Sequence, residues 1–395
     1  MKNINHIIKS YSEINEVYLP LILDLSKKKD QNILNNLHKA KKIKTVSDDY
    51  VEQLRELFAV NNPNLVYSGQ FESLFAENLK QIQKNQPLEE HGRWVFYAWS
   101  GSLSHILEAE EFYRIRTARN RYLIEEKEQQ KFYNSVIGIG GLSVGNSVIT
   151  SIVLQGGGRH VKLADFDRLA LSNTNRVRTG AGNLGLKKVV VTARQIFELN
   201  PYAKVEVFSE GLNKNNLEKF FSGLNIVIDE LDNLSIKYLI REYAKKYRIA
   251  VVMGADNGDN AVVDIERYDL NIKTKFFHGR IGNVDFETLA KLDKFGIGKT
   301  ITQHIGPENI TEKMQRSLLA MGKTIVSWPQ LGGAAILNGS AVAYCVRKIL
   351  NGEPLENNRA IVSLDELFVP NYNSAGQKNK RKKIANNFKK MFGLK

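Results

Sequence analysis

The chain has 395 residues, 43% of them hydrophobic and 25% charged, which is room for one large or two ordinary domains with a substantial core. No apolar run approaches the roughly 18 residues of a membrane span, and the opening Met1-Lys-Asn-Ile-Asn lacks the apolar stretch of a signal peptide, so no integral membrane segment and a cytoplasmic location are expected. A single cysteine, Cys345, excludes an internal disulfide and any cysteine-rich zinc site, and the net charge of +14 raises the question of where that charge sits.

Residues 1–91 read as a polar, helix-rich region. Ile14, Val17, Tyr18, Leu21, Ile22 and Leu25 fall at helical spacing, and so does the run Tyr50-Val-Glu-Gln-Leu-Arg-Glu-Leu-Phe. Pro20 lies inside the first run, so that helix is expected to kink or to begin later. Asn61-Asn-Pro63-Asn marks a turn, and no chemistry is visible in this region. The aromatic segment Gly92–Trp99 reads as a strand, followed by a helix from about Leu103 to Thr117.

After Glu126 the pattern becomes strand, glycine turn, helix, strand, as at the start of a parallel α/β sheet. The expected strands are Ser135–Ile139, Val161–Ala164, Val205–Phe208, Ile226–Asp229 and Ala250–Met253; the expected helices are Ser147–Gln155, Lys188–Leu199, Ile236–Tyr247 and Gly332–Leu350. Residues 271–325 break the rhythm and read as an insertion. The expectation is therefore an α/β fold, a Rossmann-like sheet flanked by helices over 92–370, behind a helix-rich N-terminal extension. Residues 371–395 carry eight Lys/Arg and no acids, and removing those eight charges leaves a mildly basic +6. This tail reads as disordered, with RNA or an acidic membrane surface as conceivable contacts.

The chemistry lies between Gly138 and Asn233. Gly138-x-Gly140-Gly141 after a strand is the turn that lets backbone approach phosphate at a helix N-terminus, although Ser143 stands where a third glycine is usual. Asp165, 27 residues on at the end of the next strand, suits ribose hydroxyls of any adenine nucleotide. Asn173-x-x-Arg176, Lys188 and Asp232 separate ATP from NAD, because a dehydrogenase has no need of them. Adenylation builds negative charge on both sides of the α-phosphorus, which fixed cations and Mg²⁺ stabilise. Arg176 and Lys188 are accordingly assigned to the phosphates and Asp232 to magnesium.

These segments resemble the ThiF/MoeB family, the adenylating domain of ubiquitin-activating-type enzymes. The matching features are Gly-x-Gly-Gly-Leu, Asp165-Phe-Asp167, Leu-Ser-Asn173-x-x-Arg176, Gly185-x-x-Lys188, Asn200-Pro201 and Asp232-Asn233, with a weaker match in the late helix Gly339–Gly352. The resemblance implies ATP held by Gly138, Gly140, Gly141, Asp165, Asp167, Asn173, Arg176, Lys188 and Asn233. It also implies a homodimer in which an arginine upstream of the first strand reaches the partner's triphosphate; Arg121 fits that pattern best, with Arg116 and Arg119 behind it. The family's paired zinc cysteines are missing, and Cys345 sits mid-helix among apolar residues, where a structural thiol is expected rather than a thioester nucleophile. His278 and His304 are left outside the site.

The leading reading is an ATP-dependent adenylyltransferase acting on the C-terminus of a ubiquitin-like protein, a sulfur-carrier protein or a peptide. The alternative is a ThiF-type enzyme that cyclises a carboxylated tRNA nucleoside, with RNA contact through the basic tail. An NAD-dependent oxidoreductase leaves Arg176, Lys188 and Asp232 without a role, and an inactive scaffold leaves their retention unexplained.

Overall fold

A computed structural model describes residues 16–394, and the chain divides into two compact units. The first runs to Gln130 and takes in Ala193–Ala203; the second comprises Lys131–Thr192 and everything from Lys204 onward. The division falls later than the expected boundary at residue 91, because the strands after it belong to the first unit.

The first unit is helix-rich as expected but also holds a four-stranded sheet, β1 (Leu21–Leu23), β2 (Thr45–Asp48), β3 (Arg93–Tyr97) and β4 (Ser102–Ile106), in the order β1-β3-β4-β2. Leu21–Leu23 was expected to be helical and instead pairs antiparallel with Trp94–Phe96. Pro20 supplies no backbone N–H, and a partner strand with a buried apolar face outweighs the local helical spacing. Ile14, the first residue of that run, lies outside the described residues, as does the opening Met1–Asn5. The helix expected from Leu103 begins only at Ala109, since Leu103 and Ile106 are claimed by β4. His105 is clamped between Tyr50 and Trp94, with ring centroids 4.0 and 4.4 Å away, and joins Asp48 and the His91 carbonyl at 2.9 Å.

The second unit carries the α/β sheet: β5 (Val136–Gly140), β6 (His160–Ala164), β7 (Lys204–Phe208), β8 (Ile226–Asp229), β9 (Ala250–Asn257), β10 (Asn260–Glu266) and β11 (Arg359–Val362). The order is β11-β10-β9-β8-β5-β6-β7, with β7 to β9 parallel and the last two strands antiparallel. Runs such as Ile226-Val-Ile are buried on both faces, as a sheet covered by helices on both sides requires. Side chains alternate across it: Val227 joins a core with Phe220, Phe221, Leu239 and Ile240, whereas Ile139 meets Gly145 of the Val144–Leu154 helix.

The chain winds outward from β5 through β6 to β7, then returns to β8 on the other side of β5. That reversal opens a crevice at the C-terminal ends of β5 and β8, where open α/β sheets hold ligands.

Residues 271–325, read as an insertion, hold short helices, including Lys294–Ile305 and Glu312–Ala320. One expectation is corrected here. The basic tail is not an irregular end: Ala375–Phe392 is a helix, capped by Ser374, whose hydroxyl accepts from the Gln377 N–H. Ala385, Phe388 and Phe392 fall at helical spacing and are buried, Phe388 and Phe392 against Ile310, Met314 and Leu318; this apolar stripe was masked by the surrounding lysines. No helix among the described residues is long and apolar enough to cross a membrane.

Candidate nucleotide site

The glycine motif divides its labour differently from the sequence expectation. Gly138 and Gly140 are inside β5, not in the turn. Gly138 is small because a side chain there would sit 2.6 Å from Leu224 and 2.9 Å from Phe220, so its role is packing. The turn is made at Gly141, which has φ +85° and lies so close to the Glu230 carbonyl, 2.2 Å from where a Cβ would stand, that only glycine fits.

Asp165 ties this turn to β6. Its carboxylate accepts from the Leu142 N–H at 2.7 Å and the Asp167 N–H at 2.8 Å. Burial pushes its pKa up, while Lys188 and these two N–H groups pull the other way. Each oxygen keeps lone-pair capacity toward a ribose, but part of its function is to shape the loop. Asp167 is half exposed and pairs with the buried Lys188, Nζ to Oδ2 at 2.7 Å.

Ser143, the departure from the glycine pattern, turns out to hold the key cation. Arg176 Nε donates to Ser143 Oγ at 2.7 Å, and Nη1 donates to Asn175 Oδ1 at 2.9 Å and the Ser172 carbonyl at 3.2 Å. Burial pushes the Arg176 pKa down, and the charges of Asp256 and Asp232 oppose that, so the guanidinium stays charged. Asp232 is exposed at the end of β8, on the crevice.

Asn173 and Asn233 do structural work. Asn173 Oδ1 accepts from the Ala170 N–H at 3.0 Å, closing the turn before Arg176. Asn233 Oδ1 caps the Leu234–Tyr247 helix by accepting from the N–H groups of Ser235 and Ile236 at 3.0 and 3.2 Å. The loop carrying Asp232 is also pinned from beneath. Asp229, fully buried, meets Lys237 at 3.2 Å and Arg241 at 2.5 Å, and Arg241 reaches Glu266 at 2.8 Å and lies over the Phe277 ring. Burial raises the Asp229 pKa, but Lys237 and Arg241 more than offset it and hold the carboxylate ionised.

Gly141, Ser143, Asp165, Asp167, Arg176, Lys188 and Asp232 thus converge on the ends of β5, β6 and β8. Arg121 lies in the first unit, exposed in a short turn bridged to Ile124. Glu230 and Asp256 are acids near the crevice that the sequence did not single out: Glu230 accepts from the Gly254 N–H at 2.8 Å, and burial drives its pKa well up. Nothing in the local sequence marks either residue, since each depends on which strand ends become neighbours.

A cavity of about 900 Å³ opens beside Asn173 and Arg176 and runs to Trp328, Tyr372, Lys380 and Arg381, so the basic helix forms part of its wall. Its size is that of a small-molecule or chain-end site. Cys345 is buried in the Gly332–Asn351 helix, and burial pushes its thiol up to about 11, the environment of a packing residue. His304 is likewise interior, 3.1 Å from Asp264.

Residues 117–272 match the model of the ThiF family. This segment is a ThiF domain. An uncharacterized protein of Mycobacterium tuberculosis is 34% identical over 319 residues, 78% of this chain and 44% of that protein. The tRNA threonylcarbamoyladenosine dehydratase of Escherichia coli is 30% identical over 164 residues, 40% of this chain and 60% of the enzyme. The sulfur carrier protein adenylyltransferase of Thermus thermophilus is 31% identical over 121 residues, 30% of this chain and 44% of the enzyme. The chain therefore spans less than two thirds of the length of each of these relatives. The cavity walls from Glu308 onward fall outside the matched span.

Proposed function

We propose that this protein is an ATP-dependent adenylyltransferase that converts a carboxylate into an acyl-adenylate and releases pyrophosphate. One observation carries the reading. A guanidinium fastened to the glycine turn, a buried ammonium and an exposed acid meet at the crevice of a ThiF domain. A hydride-transfer site has no use for that set.

In the proposed reaction a carboxylate oxygen attacks the α-phosphorus, the bond to the β-phosphate bridging oxygen breaks, and pyrophosphate leaves with the electron pair. Arg176 and Lys188 stabilise the charge that grows on the phosphates, and Asp167 keeps the Lys188 ammonium in place. Asp165 serves the ribose. Mg²⁺ is commonly held by one or two carboxylates plus substrate phosphates, so a single exposed acid fits; Asp232 would hold it, and the ion would neutralise phosphate charge.

The carboxylate in this reading is the C-terminus of a ubiquitin-like protein, a sulfur-carrier protein or a peptide, entering through the cavity beside Arg176. A second reading, a carboxylated tRNA nucleoside, is supported by the basic helix that lines the same cavity and by the similarity to the E. coli dehydratase. Either reaction consumes ATP and belongs in the cytoplasm.

Calorimetric titration of the full chain with ATP and with NAD, each with and without Mg²⁺, tests the proposal. ATP is expected to bind with Mg²⁺ dependence, and Asp232→Ala is expected to remove that dependence while leaving the melting temperature unchanged. Binding of NAD with no response to ATP would overturn the adenylation reading.

A further inference from the structure

Asp256 takes no part in the reaction as proposed, yet it sits beside the residues that do. It lies near the end of β9 and is 5% exposed. Two neutral amides hold its carboxylate: Asn338 Nδ2 donates to Oδ1 at 3.2 Å, and Gln330 Nε2 donates to Oδ2 at 3.4 Å. A carboxylate buried this deeply costs stability unless hydrogen bonds and a cation compensate, and the cation whose charge acts on it is Arg176.

The connection to Arg176 is also mechanical. The Gln330 carbonyl accepts from Asn175 Nδ2 at 2.8 Å, and Asn175 Oδ1 accepts from Arg176 Nη1 at 2.9 Å. A continuous path therefore runs from Asp256 through Gln330 and Asn175 to the guanidinium. The loop has no slack to take up. The Asn175 carbonyl oxygen stands 2.3 Å from where a Cβ on Gly332 would be, so the start of the Gly332–Asn351 helix presses directly on it.

We infer that Asp256 is a positioning residue for the nucleotide: it fixes Gln330, and through Gln330 and Asn175 it sets where Arg176 meets the triphosphate. Asp256 itself does not touch the phosphates. The inference rests on the assignment of Arg176 to ATP. Gln330 also lines the cavity, so the same path links the nucleotide end of the site to the wall that receives the carboxylate.

Two simpler roles make different predictions. As a mere neighbouring negative charge, Asp256 would repel the triphosphate, and its neutralisation would tighten ATP binding. As a mere anchor for Asn338, it would act on the fold whether or not Arg176 is present.

The test is calorimetric titration of ATP with Mg²⁺ into full-length wild type, Asp256→Asn, Gln330→Ala, Arg176→Ala and the two double variants with Arg176→Ala, alongside thermal melts. Asp256→Asn keeps the shape of the side chain and its acceptor for Asn338. It is expected to fold and to bind ATP about tenfold more weakly, the size of one well-placed hydrogen bond to a charged group. Gln330→Ala is expected to weaken binding to a similar degree. In the Arg176→Ala background either change should add less than twofold. Unchanged or tighter binding by Asp256→Asn, or a full tenfold loss that persists without Arg176, would overturn the inference. Should Asp256→Asn not fold, the Gln330→Ala pair supplies the same comparison. Wild-type protein that binds no ATP would overturn the nucleotide reading itself, and the relay with it.

Discussion

Arg176 shows how much a single substitution can shift between apparent defect and function. A serine in place of the third glycine weakens a dinucleotide fingerprint, yet Ser143 Oγ is the acceptor that fixes the guanidinium at the turn. Ser143→Ala should leave Arg176 with its two bonds to Asn175 and Ser172, and so weaken ATP binding by about tenfold without unfolding the protein, as isothermal titration and a melting curve would show together. Unaltered affinity would mean that the Asn175 and Ser172 contacts suffice. The sequence picked out Asp165, Arg176, Lys188 and Asp232 by order and spacing, and the structure brings them to neighbouring strand ends; their roles toward a nucleotide belong to the proposal. Their partners were not legible there. Asp256 and Glu230 meet the site through strand neighbours far apart in the chain, and Asn173 and Asn233 turned out to serve turns and caps, which a motif cannot distinguish from ligand contact.

At the level of elements, the parallel strands were legible because each is a short apolar run bounded by turn residues, and β8 and the Lys188–Leu199 helix begin and end where expected. β10 and β11 were not, since an antiparallel extension recruits Arg359–Val362 from beyond a long helix and no local signal announces the partner. The basic helix is the other case, where charge hid an apolar stripe. Phe388 is 2% exposed within the cluster formed by Ile310, Met314 and Leu318. Phe388→Ala should therefore cost about 3–5 kcal/mol, visible as a lowered urea midpoint. Met314 and Ile310 also line the cavity, so the same variant should lose adenylation with the carboxylate substrate more than it loses ATP binding. A tail that served only as a solvated charge would show neither effect.

For the whole molecule, the homodimer remains a proposal with a direct test. Arg121→Ala and Asp232→Ala subunits, each inactive alone, should regain up to about a quarter of wild-type pyrophosphate exchange when mixed at equal amounts, because random pairing makes half the dimers mixed and each mixed dimer has one intact pocket. If subunits exchange and no activity returns, the arginine acts within its own chain or another arginine has the role, and the same assay with Arg116→Ala separates these. The order of the elements along the chain carries a further consequence. Every residue assigned to the nucleotide crevice in the second unit except Asp256 is encoded before Leu234, whereas the cavity beside it takes only Ser172, Asn173, Asn175 and Arg176 from that stretch and the rest of its walls from Gly258 onward, as far as Ile384. On the ribosome, where a chain emerges N-terminus first, the loops proposed to hold the phosphates are made well over a hundred residues before the last piece of the chamber beside them. On the proposed function, a nascent chain in that interval would carry Arg176, Lys188 and Asp232 without Gln330 or the basic helix, both of which line the chamber beside them.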